Sequence, residues 1–284
     1  MKTFPVLVLF TSLAFSLERP RILIVTDMEG VSGIEDPDEQ LTPGQPRFEE
    51  SRKLLSGEVN AAVAGALAGG AREVVIWDGH DSSRTLSVAT IHPGAQLLQG
   101  EPTPADFYLE DRLYDGIVFI GQHAMAGTKN AVLSHTQSFG VQGIFLNGRP
   151  VGELGQVAAI AGYFNIPVIM LSGDQAACDE MITFQPKAEI VAVKRLAGKR
   201  SALSLSHERA CSLITAAATR AVRRLGEFVP WKIEGNIEMK IEYYPESPGA
   251  TAAKLTTEQK SYSAKTVVYR GRTVLEAYQQ WLGR

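Results

Sequence analysis

Short, unbroken apolar runs alternate along the chain with longer stretches in which apolar positions recur every three or four residues. Residues 21–25, 73–77, 116–120, 144–146 and 168–171 are aliphatic runs too short for helices, and they predict buried strands. Residues 46–68 predict a helix. Pro46 suits its first turn, Leu55, Val59, Ala62, Val63 and Ala66 make one apolar stripe, and Gly69-Gly70 ends it. Residues 152–164, 175–181 and 207–225 predict further helices, the first so rich in small residues that a close neighbour is expected. Apolar strands interleaved with helices define an α/β fold with a mainly parallel sheet flanked by helices. The tail changes character. Residues 232–244 alternate apolar and charged positions, as a half-exposed strand does; 245–249 read as a loop, 266–269 as a strand and 274–282 as a closing helix. The expected organisation is an α/β unit over 17–194 and a smaller C-terminal α+β region over 195–284. Repeats and heptads are absent.

The first sixteen residues stand outside that pattern. A positive start, Met1-Lys2, leads into an uncharged apolar stretch, and Ala14 and Ser16 have the spacing of a signal-peptidase site. Residues 1–16 therefore predict a secretory signal peptide and an exported protein; without a functional leader the protein would be cytoplasmic. A membrane span needs about 20 apolar residues, more than this run supplies, so no stable membrane span is expected. The chain has 284 residues, 45% of them apolar, and a net charge of −3, which gives no basic surplus for a nucleic-acid partner. Cys178 and Cys211 form no metal-binding pair; they are two buried thiols or, in an oxidising compartment, a disulfide.

The polar residues that matter gather where the apolar runs stop. The first run ends in TDMEGVSG, with Asp27 and Glu29 two positions apart and so on one side of an extended segment. Gly30 then lets the backbone turn away. The second run leads to His80, the third to His123. In a parallel sheet these strand ends share one edge, where ligands bind. Two carboxylates and two imidazoles at one edge suit a divalent cation; without one the acids would repel and one would take up a proton. Glu153, at the start of a predicted helix, and His135, twelve residues past His123, are further candidates. Asp78 either orients His80 or caps the following turn. His92 and His207 lack a strand-end position and are read as structural or exposed. Each residue taken singly has a plain alternative, as a helix cap or a satisfied polar group; the conjunction makes the site.

TDMEGVSG, WDGH, GQHA, SHTQSFG and GRPVGELG, in this order and at these separations, resemble the bacterial D-aminopeptidase DppA family, zinc-dependent peptidases that form toroidal, self-compartmentalising homo-oligomers. The resemblance runs from about Arg21 to the C-terminal VLEAYQ segment. It leaves out the leader, the loop after Ile34 and the basic stretch 194–200. It implies two zinc ions per subunit, held by Asp27, Glu29, His80, His123 and Glu153 with Asp27 bridging, and a catalytic His135. It also implies a short peptide substrate of D-alanyl type and a ring-shaped homo-oligomer, a decamer in the family. A metal centre lowers the pKa of bound water from roughly 15.7 to about 7, so the expected reaction is removal of the N-terminal residue by metal-activated water. His135 is then a proton shuttle or oxyanion donor, or else a further ligand. Two alternatives use the same residues differently: a dinuclear phosphoester hydrolase, for which only Arg84 and Arg149 lie near the motifs, and a non-catalytic solute-binding module.

Overall fold

The computed structural model of the chain describes residues 19–109, 113–244 and 266–283. The expected leader, residues 1–16, and the expected loop 245–249 lie outside the described residues. In chain order the elements are β1 (Arg21–Thr26), α1 (Phe48–Gly69), β2 (Glu73–Trp77), β3 (Ala95–Leu98), β4 (Gly116–Gln122), β5 (Val141–Leu146), β6 (Arg149–Pro150), α2 (Glu153–Tyr163), β7 (Val168–Asp174), α3 (Gln175–Phe184), β8 (Glu189–Gly198), β9 (Ser201–Ser204), α4 (His207–Arg223), β10 (Ile237–Tyr243), β11 (Thr266–Gly271) and α5 (Val274–Leu282). Seven strands form one sheet in the order β3-β2-β1-β4-β7-β8-β9, parallel throughout except for β9 on β8. A second, antiparallel sheet runs β11-β10-β5-β6.

Alternation along β1 feeds two cores. Ile22 and Ile24 enter one with α1 and α4; Leu23 and Val25 enter the other with α2, α3, α5 and the antiparallel sheet. Both faces are covered, which is why the run is apolar throughout. The α1–α4 layer is close-packed: a Cβ on Gly65 would lie 2.4 Å from the Thr215 carbonyl oxygen, and the Thr215 and Thr219 hydroxyls donate to the Ala61 and Gly65 carbonyls, each at 3.0 Å.

The expected boundary after residue 194 runs through β8. The helix α4 beyond it packs on α1 beside the parallel sheet. The strand β10 pairs with β5 from the earlier part of the chain, Met239 opposite Leu146. The buried Ile237, Met239 and Ile241 alternate with more exposed positions, and the apolar face they make is completed by Val141, Ile144 and Leu146 rather than within the tail.

The exits of β1 and β4 are tied together. The Asp27 amide donates to the Ile120 carbonyl at 2.9 Å and the Gly30 amide to the Gly121 carbonyl at 2.7 Å. Gly30 lies in the turn after β1, and a Cβ there would fall 2.0 Å from the Gln122 carbonyl oxygen. Glycine is required at this position because two backbones approach so closely.

Candidate active site

Asp27, Glu29, His80, His123, His135 and Glu153 meet at the carboxyl edge of the parallel sheet. Asp27 faces two imidazoles at once: Oδ1 is 3.1 Å from His80 Nδ1 and Oδ2 is 3.2 Å from His123 Nε2. Glu29 Oε2 is 3.1 Å from His80 Nδ1 on one side. On the other, Glu153 Oε1 is 3.5 Å from His123 Nε2 and 3.8 Å from His135 Nε2. The His123 and His135 rings stack at 3.9 Å and 15°. Phe139 stacks on the outer face of His135 at 4.6 Å.

Each imidazole is oriented by a backbone carbonyl. His80 Nε2 lies 2.9 Å from the Leu41 oxygen, His123 Nδ1 2.9 Å from the Ala124 oxygen and His135 Nδ1 2.9 Å from the Leu133 oxygen. A carbonyl only accepts, so those nitrogens carry the proton and donate. That leaves His80 Nδ1, His123 Nε2 and His135 Nε2 turned toward the carboxylates, the arrangement a metal-binding imidazole needs. Leu41, in the loop before α1, is a participant the sequence did not reveal, because its carbonyl reaches His80 only through the path of that loop. Asp78 does not orient His80: its Oδ2 accepts from the Leu86 amide at 2.8 Å and from Gln99 Nε2 at 3.0 Å. It therefore holds the turn after β2. His92 accepts the Gly94 amide at 3.0 Å, and His207 packs on Gly57 beside Cys211, so both are structural. Both cysteines are free thiols.

Burial opposes charge on His80, His123, Asp27 and Glu153, and their mutual attraction overrides it. The His80 imidazole is held well above its ordinary value by Glu29 and Asp27, and His123 by Glu153 and Asp27, despite desolvation. Asp27 is pushed well below the usual carboxylate range by His123 and His80, against its own desolvation. Glu153 falls to about 2 against the same penalty, through His123, His135 and the Gln137 amide. Among the described residues no lysine or arginine side chain lies within ion-pair distance of the three carboxylates. Asp27 Oδ2, Glu29 Oε2 and His123 Nε2 are buried with no hydrogen-bond partner of proper geometry. Buried polar atoms of these types, facing one another, fit a divalent cation. Asp27, Glu29 and His123 each offer one donor atom within 4.8 Å of the others, and His123, His135 and Glu153 do the same.

The cluster opens into a cavity of about 520 Å³. Trp77, Phe107 and Val157 make part of its apolar wall, and Trp281 and Leu282 bring the end of α5 to it. Tyr278 joins Phe107 to Trp281 edge-on, with ring centroids 5.6 and 5.7 Å away. The sequence showed the tail helix without showing that it walls the site. Asp81 and Glu101 add carboxylates to the lining, which among the described residues holds no lysine or arginine. Arg149 instead lies over Phe184 and Trp231.

The model of the D-aminopeptidase family Peptidase M55 matches residues 21–282. A D-aminopeptidase of Bacillus subtilis (strain 168) is 32% identical over 265 residues, which cover 92% of this chain and 95% of that protein. A solved structure, "Zn-dependent D-aminopeptidase DppA from Bacillus subtilis, a self-compartmentalizing protease", superimposes with a TM-score of 0.82 at 30% identity, over 93% of this chain and 96% of that one. The fold, the donor set and these likenesses define a hydrolase of the aminopeptidase class. The chain belongs to the D-aminopeptidase family whose model it matches.

Proposed function

We propose that this protein is a dinuclear zinc aminopeptidase that releases the N-terminal residue of short D-amino-acid peptides of D-alanyl type. The observation that carries the reading is the double-faced Asp27. One oxygen looks to His80, which Glu29 also faces; the other looks to His123, which Glu153 also faces. Asp27, Glu29 and His80 would hold one cation, and Asp27, His123 and Glu153 the other. The donors are borderline nitrogen and hard oxygen, as zinc accepts. The choice of zinc and assembly into a ring-shaped homo-oligomer, a decamer in the family, draw support from the description of the solved relative as Zn-dependent and self-compartmentalizing. Export draws support from the leader-like residues 1–16. Among the described residues no helix is long and apolar enough to cross a membrane.

When bound, a zinc pair supplies an acidified water and a Lewis acid for the scissile carbonyl. The chain's own groups do the rest. His135 Nδ1 donates to the Leu133 carbonyl. This leaves Nε2 to take a proton from the attacking water and return it to the leaving amine. Stacking between His123 and Phe139 fixes the plane in which that nitrogen acts. Asp81 and Glu101 give the cavity negative charge for a protonated N-terminus, and the Trp77, Phe107 and Trp281 wall excludes water. Among the described residues a phosphoester would find no cationic side chain in this lining, so the peptide reading is preferred.

Metal-stripped protein should be inactive on D-alanine amide and regain activity as zinc is restored to two ions per subunit, with L-alanine amide and nitrophenyl phosphate turned over far more slowly. Activity on D-alanine amide without metal, or preference for the phosphate, would overturn the proposal.

A further inference from the structure

Glu180, on α3, is a buried carboxylate that the chemistry above does not use. It is 7% exposed, and among the described residues it has no ion-pair partner. Burial pushes it up to about 7, although the Met125 and Gly152 amides beside it favour the charge. Its Oε2 accepts the Met125 amide at 2.8 Å, two residues past His123. Its Oε1 packs against Gly152, the residue before Glu153, without a hydrogen bond of proper geometry. A Cβ on Gly152 would be 2.7 Å from that oxygen and 2.7 Å from the Met125 Cβ. One carboxylate is thus wedged between the exit of β4 and the start of α2, each of which sends one side chain into the centre.

A second acid does similar work at the start of α3. Asp174 caps the helix by accepting the Ala177 amide at 2.8 Å, and its other oxygen accepts the Val132 amide at 2.9 Å, three residues before His135. The Ala126 amide donates to the Thr136 hydroxyl at 3.0 Å and closes the loop between the two attachments. The segment from His123 to Thr136 therefore hangs from α3 at two points. A buried carboxylate without a cation is a costly filler where an apolar side chain would pack, so its presence calls for a reason beyond packing.

We infer that Glu180 is a positioning residue that sets His123 against Glu153 by holding the backbone beside each. It touches neither ion nor substrate, and the inference rests on the zinc reading of those two side chains. The test compares Glu180→Ala, Glu180→Gln and Met181→Ala in the full-length protein. Zinc affinity is measured by chelator competition, kcat and KM on D-alanine amide, and each variant's thermal unfolding is recorded. Met181 is fully buried beside Glu180 on α3, so its truncation reports simple loosening of the helix.

Glu180→Ala should weaken zinc binding by roughly 10- to 100-fold and lower kcat more than it changes KM. Glu180→Gln, whose amide oxygen still accepts the Met125 amide, should recover most of both. Met181→Ala should bind zinc as the wild type does even where it melts earlier. Unchanged affinity in Glu180→Ala, or an equal loss in Met181→Ala, would reduce Glu180 to a structural residue. If Glu180→Ala does not fold, Gly152→Ala pushes on the same oxygen from the other side and should weaken zinc about tenfold; unchanged affinity there overturns the assignment. Wild-type protein that binds no zinc would remove the metal reading itself, an outcome distinct from failure at Glu180 alone.

Discussion

At the amino edge of the parallel sheet, the Arg21 guanidinium lies 2.8 and 3.1 Å from the Glu73 carboxylate, and the Asp115 carboxylate accepts the Arg21 amide at 2.7 Å. These groups are partly solvated, and the Arg21–Glu73 pair answers charge with charge. At the carboxyl edge, Asp27, Glu29 and Glu153 are drawn together with three imidazoles, largely shielded from water and, among the described residues, with no lysine or arginine at ion-pair distance. The same strands thus end in a self-sufficient ion pair on one side and an unfinished one on the other. The difference teaches that the second cluster is a donor set of the kind a divalent cation takes, not an ordinary ion pair.

Three changes probe that contrast. The largest effect is expected at the unfinished edge: His135→Ala should lower kcat by about 10²- to 10⁴-fold while zinc content stays at the wild-type level. Loss of one ion in that variant would make His135 a ligand instead. An intermediate effect is expected at Glu58, a buried carboxylate on α1 that no strand end explains. Burial raises it from 4.5 to about 7, although the Ser32 amide and Lys194 favour its charge. Below 4.5 it is protonated both folded and unfolded and carries no penalty. Between about pH 4.5 and 7 the unfolded chain ionises while the folded one resists, so stability falls, by roughly 3 kcal/mol in full, and levels off above that range. Glu58→Gln removes that loss. Its stability relative to wild type should improve between pH 4.5 and pH 8 in denaturant unfolding; a difference independent of pH would refute the burial argument. The smallest effect is expected at the finished edge. Arg21→Met should cost no more than about 1 kcal/mol and leave activity on D-alanine amide unchanged; a loss of activity would show that the two edges are coupled.

The strands that place the site were legible because they are buried on both faces and so are written as unbroken aliphatic runs. Their carboxyl ends, and with them Asp27, Glu29, His80 and His123, followed from the parallel topology alone. The strand β8 was not legible, since Lys194 interrupts it; that lysine is buried and donates to the Glu29 and Ile34 carbonyls, a role no local pattern displays. The strand β3 is short and half exposed and has no apolar run to mark it. His135 and Glu153 stood out only as further candidates, and their roles needed the family resemblance. Their approach depends on the loop after His123 folding back, through Thr136, Asp174 and Glu180, over distances that spacing cannot express. The Leu41 carbonyl behind His80 and the Trp281 wall were hidden for the same reason: each belongs to an element whose own sequence says nothing about where it docks.

The central claim is that Asp27 stands between two cation positions. Anomalous diffraction at the zinc edge from crystals of zinc-loaded protein tests it most directly. Two peaks are predicted, one bonded to Asp27, Glu29 and His80 and the other to Asp27, His123 and Glu153. No peak at this edge, or a single one that leaves either imidazole unbonded, would contradict it.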